Sequence, residues 1–211
     1  MNQSNHAQRS DGWHEDRRGM LTGSRFGDVM AGKTTKRYLK YQREIVLELL
    51  GAPAFQDDAP WFKHGIDNEA EGLGAYAFQK GLSVTEAGFI THHTMPFVGC
   101  SPDGLIGDDI EPEAGGVELK CRSSLKAHHK TIKAGIDSVY TPQVQGCLMV
   151  TGRDWWDFAS YYVPENRFDD STTDLHIHRV WPDVSYITKL EIRLQEFWDE
   201  VNQQVEERSN A

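Results

Sequence analysis

A chain of 211 residues with 38% apolar content can build one domain with a substantial core, and it has no apolar run near the ~20 residues that a membrane span needs. Three cysteines, Cys100, Cys121 and Cys147, are too few and too odd for a disulfide scaffold and fall short of an all-cysteine iron–sulfur cluster, so a reducing compartment is expected. The net charge of −10 excludes a uniformly basic nucleic-acid binder.

Residues 1–10 are polar, lack the apolar centre of a secretory signal, and are expected to form a flexible tail before a single domain at 11–211. Beyond Trp13-His14 and Arg17-Arg18-Gly19, Ser24 stands as the N-cap of a short helix reaching Ala31. A helix start near an arginine suits a phosphate, although capping alone also accounts for this stretch. Apolar spacing predicts a helix over 36–50, with Tyr38, Leu39, Ile45, Val46, Leu49 and Leu50 on one side and Gly51 as the stop. A second helix over 61–80 has its apolar side at Ile66, Ala70, Leu73, Ala77 and Phe78, and sets Glu69 beside that side. Short strands are expected at 82–87, 89–93 and 97–100, which would deliver Asp103 at a strand end.

The chemistry gathers there. Ser101-Pro102-Asp103-Gly104 reads as a turn and 117–121 as a strand. Side chains alternate along a strand, so Glu118 and Lys120 share one face while Val117, Leu119 and Cys121 share the other. The apolar set suits a core. A carboxylate and an amine on a buried strand need a reason to be there. Two carboxylates with an ammonium suit a hard divalent cation and a phosphate in attack position: the acids hold Mg²⁺, and the lysine steers or deprotonates water or stabilises developing charge.

Farther along, Ser123-Ser124 can cap a helix through Lys133, whose basic residues either follow a DNA backbone or simply meet solvent. Another helix runs from Tyr140 to Gly152 with Pro142 at a tolerated early position, and it carries Gln143 and Gln145. Strands at 155–163 and 175–181 complete a mixed sheet with helices on both sides. The last helix, 184–207, aligns Ile187, Leu190, Leu194, Phe197 and Val201, a stripe for core or subunit packing. The paired histidines, His92-His93 and His128-His129, and His176 with His178, lack a His-Glu-x-x-His or Cys-x-x-Cys companion, so zinc is not expected. Cys100 and Cys121 fit as small packing residues. Charge is segregated: residues 103–118 hold six acids and no base, and 119–133 hold five basic residues and no acid. The first 50 residues carry nine Lys/Arg against six Asp/Glu, whereas 183–207 carry seven acids against two bases. Basic arms therefore flank an acidic centre.

Pro102-Asp103 followed by Glu118-x-Lys120 matches the PD-(D/E)xK nuclease signature. The fuller strings Cys100-Ser101-Pro102-Asp103-Gly104-Leu105 and Glu118-Leu119-Lys120-Cys121 resemble the phage lambda exonuclease family, the YqaJ-like viral recombinases. Trp13-His14, Arg17-x-Gly19, Thr22-x-Ser24 and Gln143-x-Gln145 are similar to that family's flanking blocks, so the resemblance spans nearly the whole chain. It implies an α/β fold with a restriction-endonuclease-like core, a mixed central β-sheet flanked by α-helices. It also implies a Mg²⁺-dependent 5′-to-3′ exonuclease on linear double-stranded DNA, releasing mononucleotides and leaving a 3′ overhang for recombination by strand annealing. Two Mg²⁺ per site, replaceable by Mn²⁺, would be bound by Asp103, Glu118, the Leu119 carbonyl and Glu69, with Lys120 completing the catalytic set. Arg17, Ser24, Ser101 and Gln143 would grip the 5′ phosphate, with Gln145 and Tyr140 supporting the site from behind. The family also implies a homotrimeric ring, a single-strand annealing protein as partner, and the cytoplasm of a bacterial host carrying a phage or prophage. Two rivals share the motif: an endonuclease on the same core, and a non-catalytic DNA-binding recombination scaffold. The intact Asp103, Glu118 and Lys120 argue against the scaffold.

Overall fold

The aromatic segment 155–162 lies inside a sheet, as such side chains fit a pleated, buried surface. The computed structural model describes residues 2–55, 60–108, 113–164 and 173–210. Its elements run β1 (Asn2–Gln3), α1 (Asp11–Arg17), β2 (Leu21–Thr22), α2 (Phe26–Val29), α3 (Lys36–Leu49), α4 (Pro60–Lys80), β3 (Ile90–Thr91), β4 (Val98–Cys100), β5 (Gly104–Ile106), β6 (Gly115–Arg122), α5 (Leu125–Ala134), α6 (Thr141–Thr151), β7 (Trp155–Tyr162), β8 (Asp174–Val180) and α7 (Val184–Ser209).

The mixed sheet flanked by helices is present, as two four-stranded sheets rather than one, with orders β5-β6-β7-β8 and β1-β3-β4-β2. In the first, β6 and β7 are parallel while β5–β6 and β7–β8 are antiparallel. A parallel pair needs a long crossover, and α5 with α6 supplies it. Alternation then sorts the faces. Trp156 and Phe158 join the larger core with α6, α7, α2 and α3, whereas Val117, Leu119, Trp155, Ala159 and Tyr161 face Tyr76 of α4. Glu118 pairs in register with Phe158 and Lys120 with Ser160, so both motif residues lie on the α6 side.

Helix ends follow local chemistry. Ser10, Thr35, Ser124 and Asp183 each accept a backbone N–H of the first turn, and Gly152 closes α6 in the left-handed region at φ 68°. The last helix buries Leu190, Leu194, Phe197 and Val201 along the expected stripe.

Four expectations are corrected. Ser24 caps no helix: Gly23–Arg25 form a 3₁₀ turn, α2 follows only at Phe26, and neither has a side-chain cap. The expected strand at 82–87 reduces to one bridge, Thr85 to Leu105. In α4, Phe78 is 92% and Ile66 45% exposed, and the buried positions among the described side chains are Asn68, Gly72 and Tyr76. The stripe escaped an apolar pattern because its members are polar or small: Asn68 donates to the His64 carbonyl, and the Tyr76 hydroxyl reaches buried Asp157 at 2.8 Å. A Cβ on Gly72 would lie 2.7 Å from Leu119 Cδ2, so the missing side chain lets α4 pack tightly on β6 there. Finally, residues 2–10 are not a loose tail. β1 pairs with β3, Ser4 N–H donates to Phe89 O, and the Gln8 amide donates to the carbonyls of Ala87 and Pro102 at 2.9 and 2.7 Å. A polar segment needs only backbone bonding to cover a sheet edge, so no apolar signal announced it.

Candidate active site

β4 ends at Cys100, the turn Ser101-Pro102-Asp103 follows, and β5 then pairs back on β6 with Gly104 opposite Val117. Only glycine fits at 104, since a Cβ would meet Val84 Cγ1 at 2.2 Å. This register lays Asp103 beside the middle of β6, where its Oδ2 accepts the Leu119 N–H at 2.7 Å. Glu118, only 1% exposed, takes the Lys120 ammonium and the Gln143 amide on Oε1, the latter at 2.7 Å. Its other oxygen, Oε2, is buried and has no hydrogen-bond partner among the described residues. Lys120 also sits 5.2 Å from the Tyr140 ring centroid.

The electrostatics are tense. Burial, then the Glu118 charge and more weakly that of Glu69, raise the Asp103 carboxyl well above its ordinary range, against the opposing pull of Lys120. Burial would lower the Lys120 ammonium, but Glu118 and Asp103 outweigh it and raise it. An orphaned carboxylate oxygen beside a second, partly buried carboxylate is an oxygen donor set fitted to a hard cation. Among the described residues no three His, Cys, Asp or Glu side chains form a ready cage. Glu69, expected as the third acid, instead pairs with the Arg9 guanidinium.

That tension gives a stability prediction. An acid whose folded pKa is raised supports folding below its unfolded pKa of about 4 and loses that support as pH rises through the folded value. Asp103→Asn keeps an acceptor for the Leu119 N–H and removes the repulsion. In chelator at pH 8 the variant should gain about 1 kcal/mol, or about 2–4 °C in melting temperature, and the gain should vanish near pH 4. A variant that melts lower at pH 8 would contradict this reading of Asp103.

Next to the carboxylates lies a basic clamp. Ser101 Oγ accepts from Trp13 Nε1 at 2.9 Å and from Arg17 Nη1 at 3.1 Å, and the Arg17 guanidinium stacks 4.0 Å over the Trp13 ring. Burial pulls Arg17 down to about 10, and no carboxylate among the described residues forms an ion pair with it. A guanidinium so placed is charged at neutral pH and suited to an anionic ligand.

The structure therefore brings together Asp103, Glu118, Lys120, Gln143 and Tyr140, and sets Arg17 with Ser101 two residues upstream of Asp103. Gln143 orients Glu118 instead of standing free for a phosphate. Ser24 is exposed, in a turn whose Gly23 packs on Cys100, and makes no hydrogen bond with Arg17 or Ser101. Gln145 lies elsewhere: buried, it donates to the Trp181 carbonyl at 3.0 Å and accepts the Asp183 N–H at 2.8 Å, fixing the entry of α7. Arg9, the Trp13 indole as a partner of Ser101, and Arg122 went unassigned in the sequence. The period-2 face of β6 continues to Arg122, and that was the available signal.

Fold and site together define a nuclease of the viral-recombinase type. The YqaJ-like viral recombinase domain matches residues 12–154, and the chain belongs to that family. It is similar to the alkaline exonuclease LHK-Exo from Laribacter hongkongensis, with 30% identity, a TM-score of 0.82 and coverage of 95% of this chain and 97% of that one. The structure of LHK-Exo in complex with dAMP matches at 30% identity and a TM-score of 0.83, again covering 95% and 97%. A phage-related exonuclease from Haemophilus somnus 129PT shares the fold, with a TM-score of 0.68 at 15% identity over 90% of this chain and 96% of that one. No curated protein sequence matches.

Proposed function

We propose that this nuclease is a Mg²⁺-dependent exonuclease that digests the 5′ strand of linear duplex DNA, releases mononucleotides and leaves a 3′ single strand for annealing. The observation that carries this reading is the adjacency of two unsatisfied charge systems. Among the described residues, buried Glu118 Oε2 has no partner beside Asp103, and Arg17, with no carboxylate of its own, is fixed on Ser101 two residues away. An end-specific enzyme needs both, a cutting centre and a grip on a terminal phosphate.

Asp103, Glu118, the Leu119 carbonyl and Glu69 would hold the Mg²⁺, with Mn²⁺ as substitute, and Glu69 would have to leave Arg9 to take part. When bound, the ions supply Lewis-acid neutralisation of phosphoryl charge and an acidified water. The chain's own residues do the rest. Gln143 and Lys120 fix the Glu118 carboxylate. The Lys120 ammonium is placed to donate to charge developing on the phosphate. Arg17 and Ser101 offer N–H and O–H donors to a 5′ phosphate, which carries more charge than an internal diester. The dAMP complex of LHK-Exo supports a mononucleotide product. Enclosure of DNA by a homotrimer, an annealing protein as partner and a cytoplasmic site of action belong to the same proposal. No described helix is long and apolar enough to cross a membrane.

Digestion of one duplex ending in either a 5′ phosphate or a 5′ hydroxyl tests the grip. The phosphorylated end should be digested faster, and Arg17→Ala should lose about tenfold or more on it, the cost of a charge-assisted hydrogen bond, while changing the hydroxyl end little. Equal rates on both ends together with a silent Arg17→Ala would remove the terminal-phosphate role.

A further inference from the structure

The face of β6 that carries Glu118 and Lys120 does not stop at Lys120. Arg122 follows at the same period, about 6.6 Å farther along the strand. Its Nη1 donates to the Tyr140 hydroxyl at 3.0 Å, and its guanidinium carbon lies 5.1 Å from the Tyr140 ring centroid. The same ring faces Lys120 and packs on Phe158 with centroids 5.3 Å apart. Tyr140 thus braces both cations from one side.

Arg122 is partly buried, and its Nε, enclosed away from solvent, has no hydrogen-bond partner among the described residues. Nor does a described carboxylate form an ion pair with it. Asp137 feels the Arg122 charge, but Lys130 holds it at 2.6 Å. Most partly buried arginines answer a carboxylate or a row of carbonyls, as Arg179 answers Asp157 and Arg153 answers Ile106, Gly107 and Gly115. Arg122 has only one neutral hydroxyl. Beyond it, α5 exposes Lys126 and Lys133, so positive charge continues outward from the carboxylates.

We propose that Arg122 is a substrate-binding residue that holds a backbone phosphate of the DNA strand next to the scissile one. The inference rests on the nuclease reading of the same site. Spacing decides which phosphate. Lys120 occupies the position beside Glu118, and Arg122 lies two strand residues away, too far to share the reacting phosphate but placed for its neighbour. With Nη1 tied to Tyr140 and Nε enclosed, Nη2 is the donor left to meet a phosphate oxygen, and the guanidinium carries the charge that attracts it. Binding a phosphate here would give the Arg122 charge an anionic partner and align the strand across Asp103 and Glu118.

The test measures binding of a fluorescent 5′-phosphorylated duplex by the full chain in chelator, where cleavage does not intervene, over a series of salt concentrations. Arg122→Ala should weaken binding about tenfold and lower the slope of log affinity against log salt by about 0.7–0.9, the value of one lost phosphate contact. Arg122→Lys should restore the slope but only part of the affinity, because a flexible point charge replaces a planar guanidinium braced on Tyr140. Melting temperatures of all three proteins separate folding from binding. An Arg122→Ala protein with the wild-type salt slope, whatever its melting temperature, would overturn the proposal and leave Arg122 as a brace for Tyr140. Digestion of linear duplex by the wild type in Mg²⁺ is scored separately. Its absence would count against the exonuclease reading, and the salt slope would still decide the role of Arg122.

Discussion

Asp103→Ala and Glu118→Ala are each expected to lower the rate of duplex digestion at least ~10³-fold, the cost of removing a group that stabilises the transition state. Asp103 directly precedes β5, which pairs with the β6 strand of Glu118, and the Glu118 charge raises the cost of ionising Asp103 until a cation joins them. Chelator should abolish the wild-type rate, and Mg²⁺ or Mn²⁺ should restore it. Calcium should allow DNA binding without cleavage, because its longer and looser coordination positions water poorly. Thermal melting adds a readout independent of turnover. A ligand at about 100 times its dissociation constant stabilises by about 2.7 kcal/mol, so Mg²⁺ should raise the wild-type melting temperature and leave Glu118→Ala nearly unmoved. Equal activity of Asp103→Ala and wild type would remove the carboxylates from the mechanism.

Lys120→Ala should lose turnover by about 10²–10⁴-fold and still bind duplex. Glu118 keeps the Gln143 amide, so the strand is not left with a bare carboxylate. Lys120→Arg should not recover the rate. The ammonium fits between Glu118 Oε1 and the Tyr140 ring, and a planar guanidinium is bulkier and cannot give up a proton. Near-normal turnover in Lys120→Ala would reduce Glu118-x-Lys120 to a pair that merely satisfies a buried strand.

The motif was legible because strand alternation converts spacing into facing. Glu118 and Lys120 were placed on one side from sequence, and the structure holds them there with Gln143 and Tyr140. The stripe of α7 was legible for the same kind of reason, since Leu190, Leu194, Phe197 and Val201 are apolar at helical spacing. What failed to show was burial that is not apolar. The inner face of α4 runs through Asn68, Gly72 and Tyr76, and its tight packing on β6 depends on a missing side chain. The N-terminal strand is held by main-chain bonds that composition does not encode. Gln145, two residues from Gln143 on a helix, points about 200° around the axis and so reaches α7 instead of Glu118. Adjacent positions in a motif need not face one site. The engagement of Glu69 by Arg9 joins residues 60 apart in the chain, a contact no local pattern could announce.

The most direct measurement uses an end-labelled linear duplex with 5′ phosphates beside a covalently closed circle of the same sequence, each with the full chain in Mg²⁺ and in chelator. The account predicts that label from the 5′ strand appears as mononucleotides from the linear substrate in Mg²⁺ alone, that the complementary strand persists, and that the closed circle stays intact. Cleavage of the closed circle, or digestion that continues in chelator, would contradict it.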